Sequence, residues 1–133
     1  MFLEEWKDRI SSADIAHLKG YLENVALQTL NEKPILIIGA VGSGKTTLLR
    51  QIREYIGEQY CHETIDRMPE PDMECRLCLL DGYLNHLTGA PLVHLLKMMV
   101  SRKNMIMATK TVKNMDTDIV ASSHIIVISP FRR

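Results

Sequence analysis

The sequence predicts a three-layer α/β/α sandwich, a mainly parallel sheet of about five strands preceded by N-terminal helices. Three observations predict it. Short apolar runs alternate with helix-like stretches along the 133 residues, and strands that read as continuous apolar runs belong in parallel sheets covered on both faces. A glycine-rich loop follows the first such run, Ile35-Leu36-Ile37-Ile38, and opens a helix-like stretch. The composition, 46% hydrophobic and 24% charged, is that of an ordinary water-soluble domain. No apolar run reaches the roughly 18 residues of a membrane span.

The elements follow in order. A first helix is expected over Leu3 to Ile10. Ser11 or Ser12 then caps a second, in which Ile15, Leu18, Leu22, Val25, Leu27 and Leu30 fall near helical spacing. Asn31-Glu32-Lys33-Pro34 leads into the first strand. The helix after the glycine loop runs to about Ile56, where Gly57 suits a stop. Gln59 to Ile65 reads as a second strand, and the proline-broken stretch Asp66 to Asp72 as a loop. Glu74 to Leu80 reads as a third strand, Pro91 to Val100 as a helix with its proline in the first turn, and Asn104 to Ala108 as a fourth strand. Val112 to Ser122 is a helix or turn-rich crossing, and His124 to Ile128 a fifth strand. We expect one domain over residues 1–133, with a helical segment at 1–33 and a nucleotide-binding core at 34–133.

Gly39-Ala40-Val41-Gly42-Ser43-Gly44-Lys45-Thr46 fills every fixed position of the G-x-x-x-x-G-K-[ST] phosphate-binding loop. Glycines let backbone N–H groups turn inward around a phosphate, and the helix opened by Thr47 adds partial positive charge. Lys45 is placed to bridge the β- and γ-phosphates, and the Thr46 hydroxyl to ligate Mg²⁺. ATP with Mg²⁺ is the expected ligand. In an open α/β sheet it sits at the carboxyl ends of the strands, so Gly39, Asp81 and Thr109 should converge.

Leu77-Cys78-Leu79-Leu80-Asp81 is an apolar strand ending in a carboxylate, the form of the second nucleotide motif, whose Asp holds the metal shell. Gly82 follows, where a water-polarising Glu stands in many ATPases that catalyse from a strand end, and it offers no base. Glu63 is the leading substitute, with Glu70, Asp72 and Glu74 behind it. Thr109 and Lys110, at the tip of the fourth strand, are candidates to sense the γ-phosphate. Arg102, and after the last strand Arg132 and Arg133, are candidates to reach a neighbouring subunit's nucleotide.

The remaining features are less specific. Residues 1–73 hold 8 Lys and Arg against 12 Asp and Glu, and residues 74–133 hold 8 against 4. That bias could make a nucleic-acid-facing or subunit-facing surface. Cys75 and Cys78 have C-x-x-C spacing, which raises zinc or redox chemistry, but on a strand they point to opposite faces. With Cys61 they read as small core residues. Met98, Met99, Met105, Met107 and Met115 read as adaptable core. The acidic N-terminus lacks a secretory layout, so a cytoplasmic setting, in a cell or an infected host, is expected.

From Ile35 onward the order of features resembles the FtsK–HerA group of DNA-pumping ATPases, within the additional-strand branch of P-loop NTPases with a RecA-like core. Four segments carry the resemblance: Ile35 to Thr46, Cys78 to Leu84, Leu92 to Arg102, and Met105 to Lys110 with Asp118 to Ile128. It implies ATP hydrolysis by an oligomer, often a hexameric ring, that moves DNA through a pore, with viral genome-packaging ATPases as its compact members. Two positions depart: Gly82 stands at the group's Glu, and Lys110 at its usual Gln. Type II/IV secretion ATPases look similar around Ser11 to Leu49, and a small nucleoside or metabolite kinase fits the chain length.

Overall fold

A computed structural model describes residues 1–62, 76–82, 84, 87–100 and 104–129. Glu63, Glu70, Asp72, Glu74, Cys75, Arg102, Arg132 and Arg133 lie outside the described residues.

A 3-10 helix, Phe2–Trp6, precedes α1 (Ser12–Ala26), β1 (Ile35–Ile38) and α2 (Lys45–Ile56). A second 3-10 turn, Glu58–Tyr60, leads to β2 (Cys61–His62) and β3 (Leu77–Asp81). Then come α3 (Gly89–Val100), β4 (Met105–Thr109), α4 (Thr117–Ala121) and β5 (His124–Val127). The strands form one sheet in the order β2-β3-β4-β1-β5, and every pairing is parallel. β4 therefore lies between the glycine-loop strand and the Asp81 strand.

Alternation along the strands builds two cores. Ile35 and Ile37 of β1, Leu77 and Leu79 of β3, and Ile106 and Ala108 of β4 face the N-terminal segment, α1 and α2. Leu36, Cys78, Leu80, Met105 and Met107 face the other way, against α3 and α4. Cys78 and the methionines at 98, 105, 107 and 115 are buried, filling an irregular interior as unbranched side chains do. Among the described residues no group of three or more His, Cys, Asp or Glu is arranged to hold a metal ion. No described helix is long and apolar enough to cross a membrane.

The amino ends of the strands are tied by polar side chains. The buried Tyr21 hydroxyl donates to the Met105 carbonyl at 3.0 Å and accepts from the Met105 N–H at 2.7 Å. Asn104 Oδ1 accepts from the Asn31 N–H at 2.9 Å, and Asn104 Nδ2 donates to the Thr29 carbonyl at 3.1 Å. These contacts tie α1 and its exit loop to the amino end of β4, at the opposite end of the strands from Gly39 and Asp81.

Several elements differ from expectation. The first helix is a 3-10 helix ending at Trp6, after which the N–H groups of Arg9 and Ile10 both reach the Trp6 carbonyl. This tighter path puts Leu3, Trp6 and Ile10 into one core. Ser11 does cap α1, its hydroxyl accepting from the Asp14 N–H at 3.2 Å. The helix stops at Ala26, leaving Leu27 and Leu30 exposed, because Gln28 turns left-handed at φ +60°. Thr29 N–H then reaches Asn24 O, and Gln28 N–H reaches Val25 O, the Schellman pattern usually built on glycine. Gln59 and Tyr60 of the expected second strand lie in the 3-10 turn, its described strand residues are Cys61–His62, and β3 begins at Leu77. The crossing before β5 is helical only over Thr117–Ala121, capped by the Asp116 side chain, after a turn with Asn114 at φ +66°.

Candidate functional site

The strand order brings the ends of β1, β3 and β4 side by side. The Gly39 N–H donates to the Thr109 carbonyl at 3.2 Å, and the Gly82 N–H donates to the Ala108 carbonyl at 3.3 Å. Gly39, Asp81 and Thr109 thus stand at three adjacent strand ends.

The loop from Gly39 to Thr46 wraps the start of α2. Gly44 precedes the helix in a left-handed conformation, φ +95°, with no side chain capping the helix start. A Cβ at Gly44 would come within 3.0 Å of the Trp6 ring, so both backbone angle and space call for glycine. The first N–H groups of a helix lack intrahelical acceptors, and at α2 they point into the loop with the positive end of the helix dipole. The Ser43 hydroxyl is buried there without a hydrogen-bond partner among the described residues, an arrangement native proteins seldom leave unexplained.

Lys45 reaches back over the loop, its ammonium donating to the carbonyls of Gly39 and, at 3.1 Å, Ala40. The Thr46 hydroxyl points the other way and donates to Asp81 Oδ2 at 2.9 Å. A hydroxyl and a carboxylate so placed are the hard oxygen donors that Mg²⁺ accepts, with water and phosphate completing the shell. The site therefore sets N–H donors and an ammonium beside a pair of oxygen ligands, the complement of a metal-bound polyphosphate.

Other candidates take different places. Thr109 is buried, and its hydroxyl donates to the Thr111 carbonyl at 3.2 Å within its own turn. Lys110 is exposed at the end of β4. Gly82 has φ +129°, and none of the described residues comes within 4 Å of where its Cβ would stand. Glu63 and Arg102 lie outside the described residues.

The N-terminal segment supplies residues that the sequence reading missed. Arg9 donates through one guanidinium nitrogen to the Ser43 carbonyl of the loop and through Nε to the Ser129 carbonyl at 3.1 Å. The Ser129 N–H returns to the Arg9 carbonyl at 2.8 Å. Trp6 donates from Nε1 to Gln51 Oε1 at 2.8 Å. Trp6 and Arg9, with Glu5, Thr47 and Gln51, border a cavity of about 540 Å³ whose lining also includes Gly42, Gly44, Lys45 and Thr46 of the loop. A smaller cavity of about 260 Å³ lies on the Asp81 side, beside Arg50 and Arg53 of α2. The only local signal for the larger one is the helical spacing of Thr47 and Gln51, since Trp6 and Arg9 arrive from far along the chain.

No family model matches the sequence, and no curated protein matches it. Solved structures do match. AMPPCP-bound DnaA from Aquifex aeolicus superimposes with a TM-score of 0.61 at 18% identity, over 87% of this chain and 45% of that one. The replication initiator DnaA bound to AMPPCP and single-stranded DNA gives 0.64 at 19% identity, over 95% and 49%. The RuvB Holliday junction branch migration motor of Thermotoga maritima gives 0.59 at 16% identity, over 90% and 45%. The chain spans about half the length of each of these structures. The likeness is one of fold, and the fold is that of the P-loop NTPases.

Proposed function

We propose that this chain binds ATP with Mg²⁺ at the Gly39–Thr46 loop and works as a compact, oligomeric ATPase of the DNA-translocating or genome-packaging kind. The observation that carries the nucleotide reading is the 2.9 Å contact between Thr46 and Asp81 beside Lys45. It joins the phosphate loop to the carboxylate strand at the place where a metal-bound γ-phosphate would lie. Mg²⁺, when bound, supplies charge neutralisation at the β- and γ-phosphates. The loop N–H groups and Lys45 hold the phosphates in line, and Lys45 exchanges the carbonyls of Gly39 and Ala40 for phosphate oxygens. Isothermal titration with ATP and Mg²⁺ tests this reading. Lys45→Ala should remove tight binding, and unchanged affinity would sink the assignment.

Turnover is a separate matter. Gly82 offers no base and has a backbone angle that a Glu would adopt only under strain. Hydrolysis is therefore slow in the isolated chain and rises when a neighbour or another carboxylate, Glu63 first, completes the site. Gly82 also favours a second reading, a nucleotide-binding module that does not turn over. Steady-state ATP hydrolysis with and without DNA separates the two: turnover lost in Asp81→Ala rejects the inactive module.

The motor reading draws on the FtsK–HerA resemblance and on similar folds in a single-stranded-DNA complex and a branch migration motor. In that reading the chains form a ring, Arg102, Arg132 or Arg133 faces the neighbour's γ-phosphate, and the basic second half, Lys97, Lys110 and Lys113 included, faces DNA. Thr109 and Lys110 lie at the strand tip that would respond to loss of the γ-phosphate. Mass measurement with a non-hydrolysable ATP analogue tests it, a stable monomer being the contrary result.

A further inference from the structure

The Thr46–Asp81 contact gives the site a direction. On the nucleotide reading above, on which this inference rests, the metal-bearing end of the triphosphate lies at that contact. The phosphates then run back along the loop, and the nucleoside leaves on the opposite side of the α2 start. On that side a cavity of about 540 Å³ is lined by Lys45 and Thr46 of the loop and, beyond them, by Thr47 and Gln51 and by Glu5, Trp6 and Arg9 of the N-terminal segment.

The polar groups there are held in a fixed order. Gln51 Oε1 accepts from Trp6 Nε1 at 2.8 Å, and Gln51 Nε2 donates to Glu5 Oε2 at 3.1 Å. An indole nitrogen only donates and an ionised carboxylate only accepts, so the Gln51 amide has one orientation. Trp6 is 5% exposed, and the Arg9 guanidinium lies 5.1 Å from its ring centre. The anchor of the Gln51 amide is therefore itself packed in place. Two capacities remain unused by these bonds: the second N–H of Gln51 and the second oxygen of Glu5. They form a neighbouring donor and acceptor.

We propose that Glu5 and Gln51 read the nucleobase, selecting one that carries an exocyclic amino group beside a ring-nitrogen acceptor, as adenine does. The amino group donates to the Glu5 carboxylate, and the ring nitrogen accepts from the Gln51 amide. A base with a carbonyl at the amino position sets two acceptors against each other and is disfavoured.

Calorimetric titration of the full chain in Mg²⁺ with three ligands tests this: ATP, purine riboside triphosphate (which lacks the amino group) and inorganic tripolyphosphate. The wild type should bind ATP about tenfold more tightly than purine riboside triphosphate, the effect of one hydrogen bond. In Glu5→Ala that ratio should fall to near one while tripolyphosphate affinity stays at the wild-type value. Gln51→Ala should weaken ATP severalfold and again spare tripolyphosphate. A wild-type ratio near one, a ratio that survives Glu5→Ala, or equal loss of all three ligands in both variants would overturn the proposal. Tripolyphosphate binding that needs Lys45, without base discrimination, would leave the nucleotide reading standing and remove this one. Absence of binding by all three ligands would overturn both.

Discussion

Thr46 and Asp81, 35 positions apart in sequence, meet at 2.9 Å, and the contact joins the first residues of α2 to the last residue of β3. It arises because β4 separates β1 from β3, leaving a gap at the strand ends that the glycine loop spans. Asp81→Asn keeps the shape and the hydrogen-bond acceptor but removes the charge. The stimulation of ATP affinity by Mg²⁺ should then vanish, leaving affinity near the metal-free level, with an unchanged Tm for the protein alone. Titration with and without EDTA checks this; metal stimulation that persists in the variant would place the ion elsewhere.

Gly82 adopts φ +129°, and among the described residues nothing lies within 4 Å of where its Cβ would stand. The cost of any side chain there lies in the backbone and not in collision. Gly82→Ala and Gly82→Glu should therefore destabilise the fold by similar amounts, about 1–3 kcal/mol each, seen as parallel drops in Tm by calorimetry. The carboxylate is not expected to raise turnover, because the strained residue does not project it as a strand residue would. A neutral Gly82→Ala would show that this segment relaxes freely.

His17 of α1 stacks on His124 of β5 with ring centroids 3.8 Å apart, and His124 Nε2 lies 3.1 Å from Asp14 Oδ1. Burial and the neighbouring His124 hold His17 below its ordinary value of 6.5, against the opposing pull of Asp14. The folded chain then binds fewer protons at this site than the unfolded chain. Its contribution to stability is fully present above pH 6.5 and is lost as pH falls through the lowered folded value. His17→Asn should flatten the decline of Tm between about pH 7 and pH 5. An unchanged pH profile would remove His17 as its source.

What the sequence made legible was local. The strand Ile35–Ile38, the helix stop at Gly57 and the Ser11 cap each rest on residues within one or two turns, and alternating apolar strands announced a parallel sheet. What it hid depends on residues far apart. Arg9 reaches Ser43 and Ser129, and Trp6 reaches Gln51, only after the N-terminal segment has folded over the loop. No periodicity encodes such contacts. The end of α1 was hidden for a different reason, since a left-handed Gln28 did the work for which a glycine would have been the visible sign. Gly82 could be read as a missing carboxylate, but its positive φ belongs to the folded backbone alone.

The Tyr21 hydroxyl is the side-chain link between α1 and the start of β4. It accepts from the Met105 N–H and donates to the Met105 carbonyl, so it satisfies both backbone groups of a fully buried residue. Burial pushes its phenol well above the ordinary value of 10.0, so it stays a neutral donor across the physiological range. Tyr21→Phe keeps the ring but leaves the Met105 N–H without its acceptor in a site closed to water. Leaving buried groups unmatched costs more than the net value of the bonds, so a loss of about 1–3 kcal/mol is expected. Because the link lies at the amino ends of the strands, away from the loop, ATP affinity below the new Tm should match the wild type. Urea unfolding and ATP titration of the same variant check both halves. Lost affinity at full folding would mean that α1 and the phosphate loop are coupled through the sheet.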